Sequence, residues 1–75
     1  MQCGGGTGAA VYYNRLGNSL MKAGCFVEAA EYFRKALDKE SNEIYYNGLI
    51  SACRAMGKED EARKIIHELG KVKKV

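Results

Sequence analysis

Three groups of residues in this 75-residue chain have types and spacings that could do chemistry. The first is Gly4-Gly5-Gly6-Thr7-Gly8-Ala9, which formally satisfies GxGxxA. Such a loop cradles a pyrophosphate when a strand aims it and a helix comes after it, because backbone N–H groups then point at the anion. Only Met1, Gln2 and Cys3 precede it here. A Walker loop needs Lys and Ser or Thr after the last glycine, whereas Ala9 and Ala10 come after Gly8. Met1 to Gly8 is therefore expected to be a flexible Gly-rich leader or linker, residues 1–8. Thr7 is placed to cap a helix that begins at Ala9.

The second group is the thiols and the imidazole: Cys3, Cys25, Cys53 and His67. No pair of cysteines has CxxC spacing, and one histidine cannot complete a tetrahedral zinc site with cysteines so scattered. An odd count disfavours a disulfide framework and fits a reducing compartment, so the expected location is cytoplasmic. No apolar segment resembling a secretory signal is visible. Cys25 falls in a turn and is read as incidental. His67 has no nucleophile or carboxylate arranged with it in the sequence. With no base–nucleophile pair, metal set or phosphate loop, neither catalysis nor a cofactor is expected.

The third group is polar and helically spaced. Asn14, Asn18 and Lys22 lie at i, i+4 and i+8, on one stripe of a helix. Asn47, Ser51 and Arg54 occupy the matching place further along. Amide side chains both donate and accept, so they can pair with a peptide backbone. Lys22 and Arg54 can take a carboxylate, Arg54 with both arms of its guanidinium. These six are the candidate peptide-binding residues. A solvated polar face without a ligand has the same appearance.

The elements that position these residues can be read from composition. Hydrophobic residues make up 47% and charged residues 28%, a globular balance. Of nine glycines, four lie in the first eight residues, and there is no proline; the rest of the chain is helix-forming in composition. A net charge of +3 is too small to argue for a nucleic-acid partner. No apolar run approaches the roughly 18 residues of a membrane span. Lys71, Lys73 and Lys74 form a basic C-terminal end, residues 71–75. They are read as a solvated helix end whose lysines suit the dipole.

Shifted by 33 residues, the chain matches itself: Tyr12 meets Tyr45, Tyr13 meets Tyr46, Asn14 meets Asn47, and Leu16 meets Leu49. Gly24 likewise meets Gly57, Glu28 meets Glu61, and Ala29 meets Ala62. Self-similarity at such a period marks a repeat architecture. Within each unit the apolar residues recur at three and four, and the glycines split each unit into two helices. Helices are predicted over 9–23, 27–39, 43–56 and 59–69. Ser41 and Asn42 are cap-type residues before the third helix, with Glu43 in its first turn. Glu59, Asp60 and Glu61 suit the start of the fourth, and Gly70 its end. No strand alternation is present. The expected fold is all-α: two antiparallel helix-turn-helix hairpins, 10–42 and 43–75, within a repeat region 9–70.

The first unit reads Tyr13-x2-Leu16-Gly17-x2-Leu20, then Gly24, then Ala29-x3-Phe33, then Ala36. This resembles the tetratricopeptide repeat, whose pattern is W-x2-L-G-x2-Y and then A-x3-F at a period of about 34. The second unit reads Tyr46-x2-Leu49-Ile50-x2-Cys53, then Gly57, then Ala62-x3-Ile66, then Leu69. It departs from the pattern in three ways: the spacing is 33, the downstream proline is missing, and Ile50 stands where Gly17 stood. Its string Tyr46-Asn47-x-Leu49-Ile50-x-Ala52 is similar also to the pentatricopeptide repeats, which read single-stranded RNA at about one base per unit.

The resemblance implies a short right-handed solenoid whose first helices line a concave groove, with a protein or peptide as partner. Some members clamp a C-terminal carboxylate there with Asn and Lys or Arg; the full clamp uses three repeats, so two units are expected to hold only part of it. Two other functions fit the same pattern: single-stranded RNA binding by pentatricopeptide-like units, and a scaffold that self-associates. About three repeats are generally needed to bury a continuous core, so the end of the second unit is expected to expose Ile65, Ile66 and Leu69. That exposed end is also the expected route to a homo-oligomer. Tyr12 and Tyr45 are read as packing between helices and not as a stacking platform for bases.

Overall fold

A computed structural model of the chain describes residues 7–73. Four helices account for nearly all of them: α1 (Thr7–Ala23), α2 (Phe26–Lys39), α3 (Glu43–Ala55) and α4 (Glu59–Lys73). They form an all-α stack of two helical hairpins. Of the expected leader 1–8, residues 1–6 lie outside the described residues, as do Lys74 and Val75 of the basic end, while Thr7 and Gly8 already belong to α1 and correct that boundary. Thr7 is already helical, so it does not hold the cap position before α1.

Both hairpin turns are built alike. At the end of α1 the Gly24 N–H donates to the Met21 carbonyl at 3.1 Å, and the Cys25 N–H donates to the Leu20 carbonyl at 2.8 Å. At the end of α3 the Gly57 N–H donates to the Arg54 carbonyl at 2.9 Å and the Lys58 N–H to that of Cys53 at 2.8 Å. This is the paired pattern that satisfies the last carbonyls of a helix through a left-handed residue. Gly24 has φ +86° and Gly57 φ +78°, a region that a side chain disfavours. The longer link between hairpins is capped differently. Asn42 is extended, and its side-chain oxygen accepts from the Ile44 N–H at 2.8 Å.

Four helix boundaries differ from the sequence expectation: α1 begins two residues early, at Thr7, α2 begins one early, at Phe26, and the ends of α3 and α4 move. Helix α3 stops at Ala55, one residue early. Helix α4 continues through Gly70 to Lys73, so Gly70 is a helical residue and not a terminator. A glycine stops a helix in this way only when it takes the left-handed conformation, and Gly70 does not.

Packing runs in sequence order. Each helix contacts the next one in the chain, and α1 also approaches α3. No Cα atom of α2 comes within 8 Å of one in α4 among the described residues. Helices α1 and α3 therefore form the closer row, and α2 and α4 the splayed one. The Cα atoms span 40 × 34 × 13 Å. The short dimension is what two packed rows give, about 8–10 Å between axes plus about 4.6 Å of Cα diameter.

The core centres on Phe33, which is fully buried. Its ring lies against Gly17 of its own hairpin and Gly48 of the next. A Cβ at either glycine would fall 2.8 Å or 2.5 Å from a ring carbon. Ala29, Ala30, Leu49, Ile50, Ala52, Cys53, Ala62 and Ile65 complete this cluster. A second cluster seats Tyr45 against Ala10 and Ala36, and so ties α3 to the first hairpin.

The second hairpin is a looser copy of the first. Ile66, the repeat partner of Phe33, is 42% exposed. Ile50 is buried where the first hairpin has Gly17. Of the three residues expected to be exposed at this end, only Ile66 is. Ile65 is buried against α3 and Leu69 is half-buried beside the same cluster. The apolar stripe of α4 turns toward α3, so the open end is less apolar than its sequence suggested.

Candidate functional site

The predicted groove residues sit on α1 and α3, the closer row. Asn14 is half-buried, while Asn18 and Lys22 are exposed on α1. Asn47, Ser51 and Arg54 are exposed on α3. Each stripe sits on a helix that commits part of its apolar surface to the core, while Val11 and Tyr12 of α1 and Ile44 of α3 stay exposed. Leu49 and Cys53 of α3 are buried, and Leu20 of α1 packs on the same core. Fixed helices make such stripes more ordered than loops would. No hydrogen bond or ion pair occupies these six side chains among the described residues. Their donors and acceptors are therefore available to a ligand.

The two tyrosines expected to pack between helices part company. Tyr45 is buried, with its hydroxyl held above the ordinary 10.0 first by burial and then by the Glu40 carboxylate. Tyr12 is 59% exposed, which corrects the expectation for it. Tyr45 packs on Ala10 and Ala36 of the hairpin before it, and among the described residues no hairpin precedes Tyr12. Tyr12 instead leans on Tyr13, with ring centroids 5.9 Å apart. Tyr13 in turn stacks on Tyr32 at 6.0 Å, and the Lys35 ammonium lies 5.5 Å from the Tyr32 ring.

A second feature lies on the opposite, splayed row, and no motif or spacing in the chain announces it. Because α2 and α4 stand apart, a cleft of about 420 Å³ opens between them over α3. Leu37, Tyr46, Leu49 and Ile65 supply apolar lining, and Asp38, Lys64 and Glu68 supply charge. The Arg34 guanidinium donates to the Glu61 carboxylate at 3.3 Å across the gap. That pair also borders a smaller cavity of about 160 Å³ next to Cys53, so it divides the trough in two. Arg34 and Glu61 lie 27 residues apart in different repeats, so no local motif joins them. None of the six predicted groove residues lines either cavity.

The remaining candidates are chemically quiet. Cys53 is buried, and burial, the largest influence, pushes its thiol above the ordinary 9.0. Cys25 is an exposed free thiol at the start of α2. Among the described residues no group of three His, Cys, Asp or Glu could hold a metal ion. No described helix is long and apolar enough to cross a membrane.

Comparison with known proteins matches the two hairpins to two related families. A family model for the tetratricopeptide repeat matches residues 10–43, and one for the PPR repeat matches residues 44–72. No curated protein and no solved structure matches the chain.

Proposed function

From a chain made of a tetratricopeptide repeat and then a pentatricopeptide-like one, we propose a binding module that holds a protein or peptide along the α1/α3 face. Repeats of these families are binding modules, and the first unit is of the type that takes proteins or peptides. The observation that carries the reading is the doubled polar stripe. Asn14, Asn18 and Lys22 on α1, and Asn47, Ser51 and Arg54 on α3, are unpaired on the closer row of helices. The amides would pair with an extended backbone, and Lys22 and Arg54 would take a carboxylate.

The test uses arrayed peptides with free or amidated C-termini. Asn14→Ala with Asn47→Ala should weaken capture while helicity stays intact, and Arg54→Ala should erase any preference for the free carboxylate. Undiminished capture by both variants would remove these residues from the function.

The PPR match over 44–72 supports a second reading, single-stranded RNA. Two units would read only about two bases, so such binding would be weak in sequence preference. It would show as affinity for oligoribonucleotides that falls steeply with salt. Salt-insensitive or absent RNA binding leaves the peptide reading in place.

A further inference from the structure

The cleft between α2 and α4 plays no part in the α1/α3 reading, yet it has the attributes of a binding site. Its volume, about 420 Å³, falls within the roughly 300–1,000 Å³ of ligand-holding clefts. Leu49 and Ile65 of its lining are buried, while Leu37 and Tyr46 are covered only in part. A guest would therefore remove further apolar surface from water.

The shape suits a helix. Both walls are helices whose Cα atoms nowhere come within 8 Å of each other, with the Arg34 and Glu61 side chains bridging them at one end, and a third helix lies beneath them. Helices pack with axes about 8–10 Å apart, and an amphipathic helix laid in such a trough anchors itself through residues at i, i+3 or i+4, and i+7.

The charges select the guest. Arg34 and Glu61 satisfy each other across the gap. Beyond that pair, Asp38 on one wall and Glu68 on the other have no ion-pair partner among the described residues, with Lys64 the one remaining cation in the lining. Carboxylates thus outnumber cations where the cleft is otherwise apolar. We propose that this cleft docks a short amphipathic helix of a partner protein, its aliphatic side chains seated over Leu49 and Ile65 and a flanking lysine or arginine held by Asp38 and Glu68. It is a second site, on the opposite row from the polar stripe and independent of it.

The full chain, labelled with nitrogen-15, would be titrated with a capped peptide of about four helical turns carrying Leu at helical spacing and Lys on the flanks. A matched peptide with Glu replacing Lys is the control. The expected result is amide shifts clustered at Leu37, Asp38, Leu49, Ile65 and Glu68, with the Lys peptide binding at least about tenfold tighter than the Glu peptide. Asp38→Lys with Glu68→Lys should invert that preference, and Asn14→Ala with Asn47→Ala should leave the titration unchanged. Equal binding of the two peptides would overturn the proposal, even if the charge-reversed variant fails to fold. Shifts that fall on Asn18, Ser51 and Arg54 would overturn it equally, and would point to the α1/α3 face instead.

Discussion

Phe33 and Gly48, from different hairpins, meet so closely that a Cβ on Gly48 would sit 2.5 Å from the ring. A mid-helix glycine costs about 1 kcal/mol relative to alanine. Here it leaves room for a buried aromatic ring that α2 presents to α3.

Gly48→Ala is therefore expected to destabilise the fold. Overpacking costs about 1–3 kcal/mol, which exceeds or cancels the helix-propensity gain of about 1 kcal/mol. The loss should shrink when Phe33→Leu is made in the same chain. Urea melts of the two single variants and the double variant would show the coupling. Additive losses would mean that ring and glycine do not share the space.

Gly70→Ala should do the opposite. Gly70 is helical, exposed and has nothing within 4 Å of where its Cβ would be. The expected gain is about 0.5–1 kcal/mol, seen as a higher Tm. A fall in Tm would argue that the last turn of α4 does not persist in solution.

Gly24→Ala and Gly57→Ala should each destabilise, because both glycines have positive φ although nothing crowds them. About 1 kcal/mol is expected at each turn. Replacement by asparagine, which tolerates this backbone region better, should cost less than alanine at both positions, as thermal melts of the four variants would show.

Alkaline pH should loosen the molecule through two buried groups. The Cys53 thiol and the Tyr45 hydroxyl are both held above their ordinary values of 9.0 and 10.0, chiefly by burial. Well below pH 9.0 both are protonated in the folded and unfolded chains, and their contribution is fully present. Above it the unfolded chain sheds its protons first, so stability falls as pH rises through the folded values. Melting curves taken across that range should show the decline, with Cys53→Ala flattening its lower part. At neutral pH, mass mapping after iodoacetamide should find Cys25 alkylated and Cys53 protected until denaturant is added.

The Arg34–Glu61 pair should matter little to stability. Both side chains are about half exposed, at 57% and 45%, and exposed pairs contribute about 0–1 kcal/mol. A double-mutant cycle should return a coupling of that size that fades in high salt. A larger coupling would mean that the pair braces α2 against α4.

Much of the fold is legible because the sequence repeats itself. Gly24 and Gly57 recur with their apolar neighbours, and a recurring residue marks a recurring backbone geometry. The same habit hides Gly48. One repeat earlier its position holds Arg15, so no comparison of the units draws attention to it. Its reason is Phe33, which only three-dimensional packing brings near. Gly70 looks like a helix stop by residue type, but the stop depends on a backbone angle that the neighbouring residues help to set. The polar stripe is legible from spacing, and its solvent exposure comes with the helices. The α2/α4 cleft is not, since it arises from two helices failing to meet, a relation with no local trace.

The order of contacts along the chain has a kinetic consequence. Among the described residues, close backbone approaches join neighbours in sequence, apart from the one between α1 and α3. Contacts between near neighbours form without closing long loops, which places folding in roughly the microsecond-to-millisecond range. Among the described residues α4 packs its backbone closely on α3 alone, with the exposed Arg34–Glu61 pair as a side-chain tie to α2. Loss of structure should therefore begin there and travel backwards, so that amide protons of α4 exchange before those of α2.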